Sequence, residues 1–214
     1  MLSYVQDSLT RFHHARPPTP QDQPHPHVKP TYGAKVQVAA GEDKSPAVSP
    51  KEKKCIQEVT GTFLYYARAV DANMLPALGH IATQQASPTK NTMNKVKHFL
   101  DYAASHPDAI ITYRASDMVL DAHSDASYLS ESKARSRAGG QFFMSNDDAI
   151  PSNNGVILTV SQIIKAVMSS AAEDELGALF INCREAIPAR HALEIMGHKQ
   201  PPTPIQTDNT AALG

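Results

Sequence analysis

The chain of 214 residues is long enough for one domain, or one with a small appendage, and its 41% hydrophobic and 19% charged residues allow a sizeable core. A formal charge of −1 excludes a global pull toward nucleic acid or anionic membrane, so any polyanion site must be local. Cys55 and Cys183 lie far apart without metal-ligand spacing, and no apolar run reaches leader or membrane-spanning length. These features predict an intracellular protein in a reducing setting, without a disulfide framework or a membrane partner.

Half of the 16 prolines fall within the first 50 residues. The stretch from about Arg16 to Val48 has too few apolar side chains to offset its ordering entropy, so residues 1–49 are expected to be a largely disordered arm. Within it, Tyr4, Val5, Leu9 and Phe12 stand at helical spacing and would need a partner surface. His13, His14, His25 and His27 invite a metal reading, but alternation with proline reads more simply as a solvated arm.

Helices begin where the prolines thin out. "SPKE" supplies Ser49 as N-cap, Pro50 at the first helical position and Glu52 to complete a capping box. Ile56, Val59, Phe63, Ala67 and Val70 then form one stripe. Asn73 can cap a second helix with Met74, Leu78 and Ile81 inward, and Ser87-Pro88 starts a third carrying Met93, Val96, Leu100 and Ala103. Together they predict a helical segment over residues 50–106.

After this the texture changes. "DAIITYRAS", "MVLDAHSDASY", "GGQFFMS" and "GVILTVS" read as strands, with Asn153-Asn154-Gly155 as a hairpin turn between the last two. A long helix from about Ser169 follows, then a short strand in "PPTPIQTD". The expected fold class is α/β, with a mixed sheet and flanking helices over residues 108–214.

Acidic residues punctuate this half. Asp125 shares a strand face with Asp121 and His123, on what reads as a half-buried edge strand. In "SSAAEDELGALF" the helical stripe runs through Ala172, Leu176, Leu179, Phe180 and Cys183. That stripe points Asp174 into solvent and leaves Glu173 and Glu175 on its two flanks; periodicity does not choose between them. Asp208 sits between a strand and a helix, where an N-cap is the plain role. Carboxylates gathered at the ends of neighbouring elements repel one another unless a cation offsets the charge. Hard oxygen ligands select magnesium or manganese, and two such ions about 4 Å apart can drive phosphodiester hydrolysis.

"HSDASY", "SSAAEDELGAL" and "QTDNTAAL", in that order, together with "IQEVTGTFLYYARAVDANMLPALG" upstream, resemble a copia-type retrotransposon polyprotein. The similarity runs from the reverse-transcriptase connection into the ribonuclease H domain and covers roughly residues 50–214. It implies a ribonuclease H-like mixed sheet in which Asp125, Glu175 and Asp208 are the catalytic, metal-binding carboxylates. Glu173 is then the register rival of Glu175, and Asp121 a neighbour. The implied cofactor is Mg2+ or Mn2+, and the implied reaction is hydrolysis of the RNA strand of an RNA–DNA hybrid. The rest of a retroelement polyprotein is an implied partner. Lys133, Arg135 and Arg137 of "KARSR" share one face if extended and are candidates for nucleic-acid contact; a solvated basic loop is the alternative.

Two departures qualify this resemblance. No polymerase signature occurs, since "SNDDA" at 145–149 lacks the required aromatic residue. The sequence also stops six residues past Asp208, before the family's further helix and fourth acid. The expectation is therefore a C-terminally truncated domain of impaired activity. The alternative is an inactive remnant that at most binds nucleic acid or protein.

Overall fold

The computed structural model describes residues 1–26, 43–131, 135–148 and 150–208. Two compact units divide the chain, with the break between Ile110 and Ile111.

The first unit is helical, with α1 (Leu2–Arg11), α2 (Pro50–Ala69), α3 (Met74–Gln84) and α4 (Lys90–Ser105). The capping box at Ser49 and Glu52 forms as the sequence predicts. Ile56, Val59, Phe63, Met74, Leu78, Ile81, Val96 and Phe99 fill the core, with the rings of Phe63 and Phe99 edge to face at 5.2 Å. Two helix starts differ from expectation. Asn73 holds the N-cap position of α3 without a side-chain capping bond, while α4 is capped by Thr89 through a box with Thr92.

Residues 1–26 are not a loose arm. Val5 and Leu9 are buried in the helical core, and Tyr4 donates its hydroxyl hydrogen to the Thr62 carbonyl at 2.9 Å. His14 pairs with Asp101 at 2.8 Å, the Gln21 amide donates to Ser105, and the ring of His25 meets that of His80. Proline does not oppose this docking, because side chains and isolated amides anchor the segment without a hydrogen-bonded ladder. His27, and the arm as far as residue 42, lie outside the described residues.

Among the described residues, the second unit is a four-stranded mixed sheet with one long helix. Its elements are β1 (Val119–Glu131), β2 (Arg135–Ser145), β3 (Val156–Ile163), α5 (Ala171–Ile195) and β4 (Ile205–Gln206), in the sheet order β3-β2-β1-β4. The first three strands are antiparallel neighbours; β4 runs parallel to β1, pairing Ala122 with Ile205 and His123 with Gln206. Thus β1 is an interior strand rather than an edge. Leu120, Ala122, Phe142 and Val160 on one side of the sheet pack with Ala186 and Leu193 of α5.

Three further expectations are corrected. Residues 109–118 form no strand. Both neighbours of β1 are already supplied by β2 and β4, and Ile110 and Tyr113 of that stretch are exposed. Asn153-Asn154-Gly155 makes no tight hairpin, since β2 ends at Ser145 and β3 begins at Val156. Instead Asn154 acts as a staple: its amide donates to the carbonyls of Met144 and Arg114, and its oxygen accepts from the Arg114 amide. Finally, α5 is rotated relative to the expected stripe. Its buried face is Asp174, Ala178, Asn182, Ala186 and Leu193, while Leu176, Phe180 and Cys183 are exposed.

Close approach to the sheet explains that rotation. Gly140 of β2 lies under the helix, and a Cβ on it would fall 2.0 Å from Asn182 Oδ1. Only small or flat side chains fit a helix face that near a strand. Asn182 is fully buried there, donating from Nδ2 to Ser124 Oγ at 2.9 Å and to the Gly139 carbonyl at 2.8 Å.

Candidate metal centre

Three elements bring one carboxylate each to a common place. Asp125 is on β1 opposite Gly139, Glu175 is in the first turns of α5, and Asp208 follows β4 by two residues. Each offers one oxygen, and these atoms all lie within 4.8 Å of one another. Asp125 and Asp208 are exposed and Glu175 is half-buried, so the cluster opens to solvent on one side.

The amide of Ala126 organises the pair from β1 and α5. It donates to Asp125 Oδ1 at 2.8 Å and to Glu175 Oε1 at 3.3 Å. Among the described residues, Glu175 Oε2 is buried without a hydrogen-bond partner. Burial pushes the Glu175 carboxyl above the usual range, and the charge of Asp125 adds to the push. Asp208 and Asp174 contribute in the same direction, while the Ala126 amide opposes them. Among the described residues, no basic side chain offsets the acids around Glu175. An all-oxygen donor set with an unpartnered buried oxygen fits a hard cation, and these three residues could bind a metal ion.

Glu173 is turned away. Its Oε2 accepts from the Ser169 amide at 2.7 Å and from the Ser169 hydroxyl at 2.6 Å, and these bonds hold its carboxyl below the usual range. It caps the start of α5, which leaves Glu175 as the helix member of the cluster. Asp174, expected in solvent, is fully buried; burial raises its carboxyl, with the Ser136 hydroxyl opposing.

Asp121 stays apart from the cluster. It is fully buried, accepts from Gln206 Nε2 at 3.4 Å and lies 4.0 Å from His123 Nε2. Burial raises its carboxyl; the Gln206 bond and the His123 charge act in the opposite sense.

Of the basic candidates, Lys133 lies outside the described residues. Arg135 is half-buried. Arg137 is buried: its Nε donates to Glu131 Oε1 at 2.7 Å and its Nη1 to Ser161 Oγ at 3.1 Å. That guanidinium ties β1, β2 and β3 together.

Sequence reasoning missed the supports of the site. Asn182, eight residues beyond Asp174 on the same helix face, holds α5 on the sheet. Gln200 accepts from the Leu120 amide and donates to the Met118 carbonyl, each at 2.9 Å, and so seats the segment leading to β4 against β1. The usable signal is Gly140, on the strand face of Ala138 and Phe142, opposite a line of small helix residues.

Among the described residues, no helix is long and apolar enough to cross a membrane. Comparison with known protein families, with curated proteins and with solved structures finds no match to this chain.

Proposed function

We propose that residues 111–208 form a ribonuclease H-like nuclease unit of copia-type retroelement character, hydrolysing the RNA strand of RNA–DNA hybrids with Mg2+ or Mn2+. The observation that carries this reading is the convergence of Asp125, Glu175 and Asp208, distant in sequence, to within 4.8 Å. A divalent ion held there supplies Lewis acidity toward a phosphodiester and lowers the pKa of water.

The chain's own residues do the positioning. The Ala126 amide fixes Asp125 and Glu175 in one arrangement, which reduces the reorganisation required when an ion arrives. Asp125 and Asp208 are exposed and Glu175 is half-buried, which leaves the cluster accessible to a polyanionic strand. The 2′-OH of the substrate distinguishes RNA from DNA at such a site.

The second reading is an inactive remnant that binds nucleic acid or protein without cleaving. It is favoured by the modest ligand set, because three carboxylates among the described residues serve one ion better than two. A single experiment separates the readings: incubation of the purified chain with an RNA–DNA hybrid in Mg2+ or Mn2+, beside Asp125→Asn. Metal-dependent cleavage lost in the variant supports the nuclease. Absence of cleavage by the parent chain supports the remnant, and cleavage that survives the substitution discredits the site.

A further inference from the structure

The register in which β4 meets β1 decides whether the acidic cluster exists. Ala122 pairs with Ile205 and His123 with Gln206, and the same register carried two residues on sets Asp208 beside Asp125. The ladder itself covers two residues, and Gln200 and Arg190 anchor the chain before it as far as Thr203. Ile205, packed with Leu120 and Ala122, opposes a slip of one residue, which would turn it to the other face. A slip of two keeps every side chain on its face. It moves Asp208 about 6.6 Å along β1, too far to share a cation with Asp125.

Asp121 discriminates between these registers. It lies two residues before His123 on the same face of β1, is fully buried, and accepts from Gln206 Nε2 at 3.4 Å. Moving β4 by two residues in one direction puts Asp208 where Gln206 stands, so that two carboxylates meet in a buried place. Moving it by two in the other direction puts Pro204 there, which has no side-chain donor. Of the three residues that this face of β4 can present, Gln206 is the one that donates to a buried carboxylate. His123, with Nε2 4.0 Å from Asp121, rides on β1 itself and so does not tell one register from another. Buried polar pairs that cost stability are best attested in this use, as devices that fix registry.

We propose that Asp121 and Gln206 are positioning residues, a register lock that seats Asp208 against Asp125. Its effect on metal binding rests on the reading of Asp125, Glu175 and Asp208 as a cation site; the lock itself does not.

Hydrogen exchange at the Ala122 amide, which donates to the Pro204 carbonyl at 3.2 Å, reports the seating of β4 without any metal. Calorimetric titration of the full chain with Mn2+ reports the place of Asp208. Gln206→Leu and Asp121→Val are each expected to speed Ala122 exchange about tenfold or more and to weaken Mn2+ binding about tenfold. Amides between β2 and β3 should exchange as in the parent. Asp121→Asn keeps an acceptor for Gln206 and should stay within about threefold of the parent in both readouts. Unchanged exchange at Ala122 in both disruptive variants would overturn the lock. So would exchange that rises equally across the whole sheet, the mark of a merely structural loss, or Mn2+ affinity that holds while Ala122 loosens. A parent chain that binds no Mn2+ would overturn the cation reading instead, and Ala122 exchange alone would then decide the lock.

Discussion

Glu175 reaches from helix to sheet to share the amide hydrogen of Ala126, at 3.3 Å from Oε1. The same amide holds Asp125, so two like charges are pinned together before any ion is present. Removing one of them should weaken the attraction for a cation. Asp125→Asn is expected to weaken Mn2+ binding by roughly tenfold or more, whereas Glu173→Gln should leave it within about twofold, because Glu173 is spent on capping α5. Titration calorimetry with Mn2+ distinguishes the two; equal losses would reverse the assignment of Glu175 over Glu173.

Cation affinity should depend on pH through Glu175. Its carboxyl is raised by burial first and by Asp125 second, so in the absence of an ion it holds its proton to higher pH than a free glutamate. Binding requires the carboxylate; affinity therefore falls, and proton release on binding grows, as pH drops toward that raised value. Calorimetry in two buffers of different ionisation enthalpy reads the released proton, and a proton count near zero throughout would contradict this.

Asp121 gives the complementary stability effect. A buried carboxyl whose folded pKa lies above its unfolded value costs nothing below the unfolded pKa. The cost accumulates as pH rises between the two values and is constant above the folded one. Asp121→Asn removes the charge, so its stability relative to the parent should increase with pH across that window, by at most about 1.4 kcal/mol per pH unit. Urea unfolding at several pH values measures the slope; a difference independent of pH would show that the carboxyl is not strained by burial.

Packing between α5 and β2 should be unforgiving. Gly140→Ala forces a Cβ onto Asn182 Oδ1 and displaces the amide from Ser124 and the Gly139 carbonyl. A loss of about 1–3 kcal/mol is expected, as for overpacking. The double variant with Asn182→Ala should lose less than the sum of the singles. Additive losses in urea unfolding would mean that the two residues do not meet.

Arg137 should behave as a structural residue. Arg137→Ala withdraws the Nε donor from the buried Glu131, and about 3–5 kcal/mol of stability is expected to go with it. Nucleic-acid binding through this side chain predicts the opposite pattern, intact stability with a smaller salt slope, and the two are separated by denaturation and salt-dependent binding.

Legibility in the sequence followed the range of the forces involved. The Ser49 box, the stripes through Ile56 and Phe63 or Val96 and Leu100, and the strand character of Val119–Tyr128 are local, and they are present as read. The three carboxylates were named through resemblance, and the structure brings those same three together. The face of α5 is not legible from the sequence because hydrophobic size is no measure of inwardness here. The sheet side instead demands small residues, and the partner imposing that demand, Gly140, lies some forty residues earlier. Asn154 was misread for a similar reason: its amide satisfies Arg114 and Met144, a tertiary task that a local turn rule cannot detect.

The pairing of β4 with β1 spans only two residues, yet the chain before it is gripped from behind: Arg190 donates to the Pro201 carbonyl and to Thr203 Oγ1. One helix therefore governs two corners of the acidic triangle, Glu175 by its own side chain and Asp208 through the strap that Arg190 clasps. Any rocking of this rod about its axis shifts both corners against Asp125, which rides on a fixed rail. Pro188 lies in the helix between Glu175 and Arg190, where its missing N–H removes one bond of the helical ladder.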